Sequence, residues 1–210
     1  METYQSSIDK KTVAELPQAV YDGPVVVYDA DSIPAEAESH LMSQEYIGFD
    51  TETRPSFNKG ERHQVALVQL ACEDVCYLIR LNGKPFPEML ARLFNSESVC
   101  KIGLSTRDDF MRMRAVFPSL RPRNVMELQS FVNEFGISDM SLQKIYAIVF
   151  GERISKSQQL SNWEAESLTP AQQQYAALDA VATRRIYLRL SGLKQNSDVK
   201  QVSGDAVGDK

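Results

Sequence analysis

Apolar residues change their spacing several times along the chain, and each change marks an element. Val25-Val26-Val27-Tyr28 is a β-branched run after Gly23-Pro24 and predicts a short strand. Asp31-Ser32-Ile33-Pro34 then offers cap and first-turn chemistry for a helix through about Met42. Tyr46-Ile47-Gly48-Phe49, Val65 to Leu70 and Val75 to Ile79 predict three more strands, the last two joined through Glu73-Asp74. That connection is short enough for a hairpin, so these three core strands are expected to be consecutive and antiparallel. The period then becomes helical. Phe86, Leu90, Leu93 and Phe94 mark a helix beginning near Pro85, Val99 to Leu104 reads as a buried strand, and Asp108 to Phe117 restores helical spacing until Pro118. Asn124 to Leu128 is a further candidate strand, Ser141 to Phe150 a helix, and Gln172 to Leu190 the longest helix, started by Thr169-Pro170.

A hairpin-rich start followed by alternating strand and helix predicts an α/β fold. Its mixed sheet would hold three antiparallel strands and then parallel ones, with helices on both faces. Residues 1–20 read as a polar arm without periodicity, residues 193–210 as a disordered tail, and 21–192 as one domain without internal repeats. At 43% apolar residues a sizeable core is available. No run is long enough for a membrane span, and the polar start lacks a signal peptide's hydrophobic segment, so a cytoplasmic location is expected. The three cysteines, Cys72, Cys76 and Cys100, suit buried thiols in a reducing compartment, and with only His40 and His63 the chain is short of zinc ligands. The net charge of −5 excludes coating of nucleic acid by bulk electrostatics. Lys101, Arg107, Arg112, Arg114, Arg121 and Arg123 nevertheless form a basic segment, either a solvated surface or a track for phosphates.

Candidate chemistry lies in the acids. Asp50 and Glu52 follow an apolar run and share one face of a strand, about 6 to 7 Å apart along it. Two such anions repel unless they sit at a solvated strand end or hold a divalent cation between them. On the last helix Tyr175 and Asp179 are one turn apart and in line with Ala182 and Ile186. An aspartate on that stripe needs a partner, unless the apolar face is centred on Leu178 and Val181 and leaves Asp179 at its margin. Asp108 and Asp109 open a helix after a strand, which suits either the helix dipole or a site at the strand ends.

Together these residues resemble the DEDDy group of 3′-5′ exonucleases, which includes ribonuclease D and the exonuclease domain of the Werner syndrome helicase. Three motifs carry the resemblance: Phe49-Asp50-Thr51-Glu52, then Lys101-Ile102-Gly103 with Asp109-Phe110, then Tyr175-Ala176-Ala177-Leu178-Asp179. Val65 to Leu70 is similar to the family's second strand, and Lys156 to Trp163 to the segment before its third motif, so the likeness runs from about residue 25 to residue 190. Asp109 keeps the family's spacing better than Asp108. The helical nucleic-acid-binding domain that follows the nuclease in ribonuclease D has no counterpart within this sequence.

The resemblance implies a ribonuclease H-like fold and a metal-dependent exonuclease that releases nucleoside monophosphates from a single-stranded 3′ end of DNA or RNA. Asp50, Glu52, Asp109 and Asp179 would hold two divalent cations, Mg²⁺ or Mn²⁺, and Tyr175 would orient the attacking water. Glu52 would also receive the 3′-hydroxyl of the substrate. Lys156 is a candidate phosphate contact, and Trp163 is either a base-stacking or a packing residue. The rival readings are a catalytically silent nucleic-acid-binding module of the same fold and a phosphoesterase acting on small nucleotides.

Overall fold

A computed structural model describes residues 3–56 and 63–205, with side chains as far as residue 194. The elements are α1 (Lys10–Glu15), β1 (Val25–Asp29), α2 (Ala35–Ser43), β2 (Tyr46–Thr53), β3 (Val65–Ala71), β4 (Cys76–Arg80), α3 (Glu88–Asn95), β5 (Cys100–Gly103), α4 (Thr106–Val116), β6 (Val125–Glu127), α5 (Leu128–Asn133), α6 (Leu142–Phe150) and α7 (Pro170–Asp205). The strands form one mixed sheet in the order β1-β4-β3-β2-β5-β6. β2, β3 and β4 pair antiparallel, as the hairpin spacing predicts, whereas β1 joins β4, β5 joins β2 and β6 joins β5 in parallel.

Side-chain alternation on β2 divides the molecule into two layers. Ile47 and Phe49 point into the cluster formed with α2, α3 and α4, where Phe49, Phe94 and Phe110 meet with ring centroids 5.3 to 5.4 Å apart. Gly48, Asp50 and Glu52 therefore face the other side, beneath α7 and beside α6. The first turns of α7 are buried nearly all round, from Tyr175 through Thr183, because this helix lies between the sheet and α6. Asp179 is thus not at a margin: it is 3% exposed, and so are its apolar neighbours Leu178 and Val181 nearly buried.

Asp50 and Glu52 lie on a strand, as their shared face predicts: β2 runs on from Tyr46-Ile47-Gly48-Phe49 through Thr53, and Asp50, Thr51 and Glu52 pair with Gln69, Val68 and Leu67. The acids sit inside the ladder, and a register shift follows only between Glu52 and Thr53. Residues 3–20, read as an arm outside the fold, contain α1 and bury Ile8 and Ala19. They are held mainly by backbone groups, a signal that hydrophobic periodicity does not carry: Ile8 N–H donates to Asp139 Oδ2 at 2.8 Å and Ala19 N–H to the Arg153 carbonyl at 2.9 Å. In the stretch read as a tail, the backbone is helical to Asp205, while side chains from 195 onward and residues 206–210 lie outside the described residues. Residues 57–62, between β2 and β3, lie outside them too. Among the described residues no helix is long and apolar enough to cross a membrane.

Candidate active site

Asp50 and Glu52 reach the α7 face of β2, and α7 brings Asp179 down to them. Carboxylate oxygens of the three lie within 4.8 Å of one another. The approach is possible because position 48 is glycine: a Cβ there would run into the carbonyl oxygen of Ala180. A cleft of about 330 Å³ opens over the cluster, walled by Tyr175 on α7, by Ser141 and Gln143 at the start of α6, and by Lys156 and Gln159 of the following loop.

Asp109 enters from α4, on the opposite layer. It is buried, and the Thr51 hydroxyl donates to its Oδ1 at 2.5 Å, while Asp108 beside it is exposed. Thr51 alternates away from Asp50 and Glu52, so β2 carries two ligand-type acids on one face and a tether for the fourth acid on the other. Glu127, at the end of β6, fixes the start of α4: its carboxylate accepts the Ser105 N–H at 3.0 Å, the Thr106 N–H at 2.7 Å and the Thr106 hydroxyl at 2.8 Å. Thr51 and Glu127 escape a reading of the sequence. Each is a single polar residue at an unremarkable position, and its partner lies far away along the chain.

Burial and mutual repulsion both favour the protonated acids. Burial first, then the charges of Asp109, Asp179 and Glu52, raise Asp50 well above the usual carboxylate range. Glu52 is pushed up to about 9 by burial and by Asp179 and Asp109, against a lowering influence of Arg112. Burial raises Asp179 to about 7, opposed by a hydrogen bond from the Tyr175 hydroxyl and by the charge of Lys156. Asp109 rises to about 6 through burial, opposed by the Thr51 hydrogen bond and by Arg112. Tyr175 is itself raised by burial and by Asp179, and so keeps its proton.

The donor set is all oxygen, hard and anionic, and one oxygen of it, Asp179 Oδ1, is buried without a hydrogen-bond partner among the described residues. Those are the properties of a site for a hard divalent cation, which would offset the repulsion and occupy the orphaned acceptor.

Other candidates are placed as follows. Trp163 is fully buried, its ring 6.0 Å from that of Tyr175, so it packs the tyrosine and is not available to stack a base. Lys156 is exposed on the cleft wall. The basic segment is not one track: Lys101 is buried with its Nζ donating to the carbonyls of Ser96 and Val99, and Arg114 and Arg121 donate to loop carbonyls. Arg112, exposed on α4, is the member of that segment whose charge acts on both Glu52 and Asp109.

A family profile described as 3′-5′ exonuclease matches residues 25–193. The chain is 29% identical to the mouse bifunctional 3′-5′ exonuclease/ATP-dependent helicase WRN over 209 residues, covering 94% of this chain and 15% of WRN. It thus spans less than a sixth of that relative, and 24% of the exonuclease mut-7 homolog of Aedes aegypti. The crystal structure of the Aedes aegypti Nibbler EXO domain superposes with a TM-score of 0.73 at 25% identity, covering 87% of this chain and 93% of that one. Brucella melitensis NrnC with bound Mg²⁺ shares the fold, with a TM-score of 0.63 at 22% identity over 85% of each chain.

Proposed function

The chain belongs to the 3′-5′ exonuclease family, and from that premise we propose that it hydrolyses the terminal phosphodiester bond of DNA or RNA at a single-stranded 3′ end, releasing nucleoside monophosphates. The observation that carries this reading is the convergence of Asp50, Glu52 and Asp179 from two elements on one oxygen-lined point. A noncatalytic module has no use for four acids gathered with two of them, Asp109 and Asp179, buried, since their repulsion opposes folding.

In this reading Asp50, Glu52, Asp109 and Asp179 would hold two divalent cations, Mg²⁺ as named for NrnC or Mn²⁺, which would supply acidification of the attacking water and charge stabilisation of the leaving oxygen. The residues of the chain do the rest. Glu52, which lines the cleft, receives the terminal 3′-hydroxyl and so sets which bond is cut. Tyr175 keeps its proton, orients the attacking water and steadies Asp179, a role that supports the DEDDy type. Thr51 and Glu127 hold Asp109 and its helix in place from behind. Lys156, on the cleft wall, and Arg112, whose charge acts on Glu52 and Asp109, contact phosphates of the substrate strand. Residues 21–192 are the exonuclease domain, and the three buried free thiols fit a cytoplasmic protein.

A 5′-labelled single strand incubated with Mg²⁺ or Mn²⁺ should shorten one nucleotide at a time, with nucleoside 5′-monophosphates as product and no digestion in chelator. Internal cuts, or digestion that is indifferent to chelator, would exclude the proposal. Matched DNA and RNA strands in the same series identify the preferred nucleic acid.

A further inference from the structure

Beneath α7 the sheet carries a polar side chain to which the carboxylate cluster assigns no task. Gln69 is in the middle of β3, directly opposite Asp50 on β2 and Leu78 on β4. It is fully buried, and neither its amide nitrogen nor its amide oxygen has a hydrogen-bond partner among the described residues. On the same face of β3 its neighbours Leu67 and Ala71 are apolar and buried. A primary amide left unpaired in such surroundings gives up its hydrogen bonds to water and gains none in return, so packing alone would be better served by leucine or methionine.

Directly opposed residues of an antiparallel pair share a face with their Cβ atoms about 4.5 to 5.5 Å apart, which puts the amide within reach of the Asp50 carboxylate. Asp50 Oδ1 already accepts the Thr51 N–H at 2.9 Å. A second donor would fix the plane of the carboxylate and leave a defined oxygen lone pair for a cation. An amide suits this role because it is neutral: a lysine or arginine at position 69 would orient Asp50 too, but would compete with the cation for its charge.

We propose that Gln69 is a positioning residue of the cation-bound site, where its Nε2–H group turns to donate to Asp50 and thereby sets the direction from which Asp50 meets the cation shared with Glu52 and Asp179. The inference rests on the divalent-cation reading of the carboxylate cluster. It does not depend on which substrate the chain cuts.

The test is Gln69→Met, which keeps length and removes the hydrogen bond, with Gln69→Leu as a second variant. Three quantities are read on each: thermal unfolding in chelator, Mn²⁺ affinity by calorimetry, and kcat at saturating Mn²⁺. Unfolding should occur at the wild-type temperature or above it, because an unpaired buried amide is gone. Mn²⁺ affinity should nevertheless fall about 10- to 100-fold, the usual loss when the group that orients a metal ligand is removed. Wild-type Mn²⁺ affinity in both variants overturns the proposal, and so does failure of both to fold, since the amide would then be serving the fold. Mn²⁺ binding by the wild type without any nuclease activity would defeat the exonuclease reading and leave the assignment of Gln69 standing. A wild type that binds no Mn²⁺ overturns both.

Discussion

Gly48 on β2 lies so close to the carbonyl oxygen of Ala180 on α7 that no Cβ fits between them. Thr183, one turn further along α7, secures the same approach by donating its hydroxyl to the Ile102 carbonyl at 3.0 Å. Strand and helix therefore meet backbone to backbone, and Asp179, next to Ala180, arrives beside Asp50, next but one to Gly48.

Gly48→Ala must push α7 outward, because the atom it meets is backbone and cannot rotate away. The expected cost is about 1 to 3 kcal/mol in urea unfolding, as for other overpacked sites. Digestion should fall at least 10-fold at temperatures where the variant is still folded. Full activity in a folded Gly48→Ala protein would mean that the close approach is not what assembles the site.

Asp50→Asn and Asp179→Asn are each expected to abolish metal-dependent digestion and, in chelator, to stabilise the fold at alkaline pH. The sign follows from the raised carboxyls. Glu52, at about 9, Asp179, at about 7, and Asp109, at about 6, bind more protons in the folded chain than in the unfolded one. Their contribution is complete below the unfolded values near 4 and is lost as pH rises through the folded ones, so metal-free protein should lose stability between about pH 4 and pH 9. Melting temperatures measured across that range should fall for the wild type and fall less for either asparagine variant. Adding Mn²⁺ should restore stability most at the alkaline end, where the acids are ionised and free to bind it.

Tyr175→Phe removes the hydroxyl that hydrogen-bonds Asp179 and keeps the ring against Trp163. The expected result is a drop in kcat on the order of 10²-fold with little change in KM and an unchanged fold by circular dichroism. An equal loss in KM and none in kcat would make Tyr175 a substrate-binding residue.

Lys156→Ala and Arg112→Ala should weaken substrate binding and leave the fold intact, since neither side chain is buried. Each should also reduce the slope of log affinity against log salt by about 0.7, the share of one phosphate contact on a single strand. Fluorescence anisotropy of a labelled oligonucleotide in Ca²⁺, at several salt concentrations, measures both effects. A lower affinity with an unchanged slope would place the residue away from the phosphates.

Spacing along the chain is enough to lay out the order of elements and to single out the candidate acids. Period-2 and period-3.6 spacing are local properties, so the β2-β3-β4 hairpins, the long last helix and the shared face of Tyr175 and Asp179 could be read directly. The motif spacing carried the family. Only tertiary structure decided which layer each acid enters from: Asp50 and Glu52 face α7, whereas Asp109 comes from α4 behind the sheet and is tied to Thr51. That depends on which side of the sheet α7 and α4 each pack against, which leaves no mark in the spacing of apolar residues. The same holds for Gly48, Gln69 and Glu127. Their importance lies in what stands across from them, Ala180, Asp50 and the start of α4, and partners brought together across the sheet cannot be read from one strand at a time.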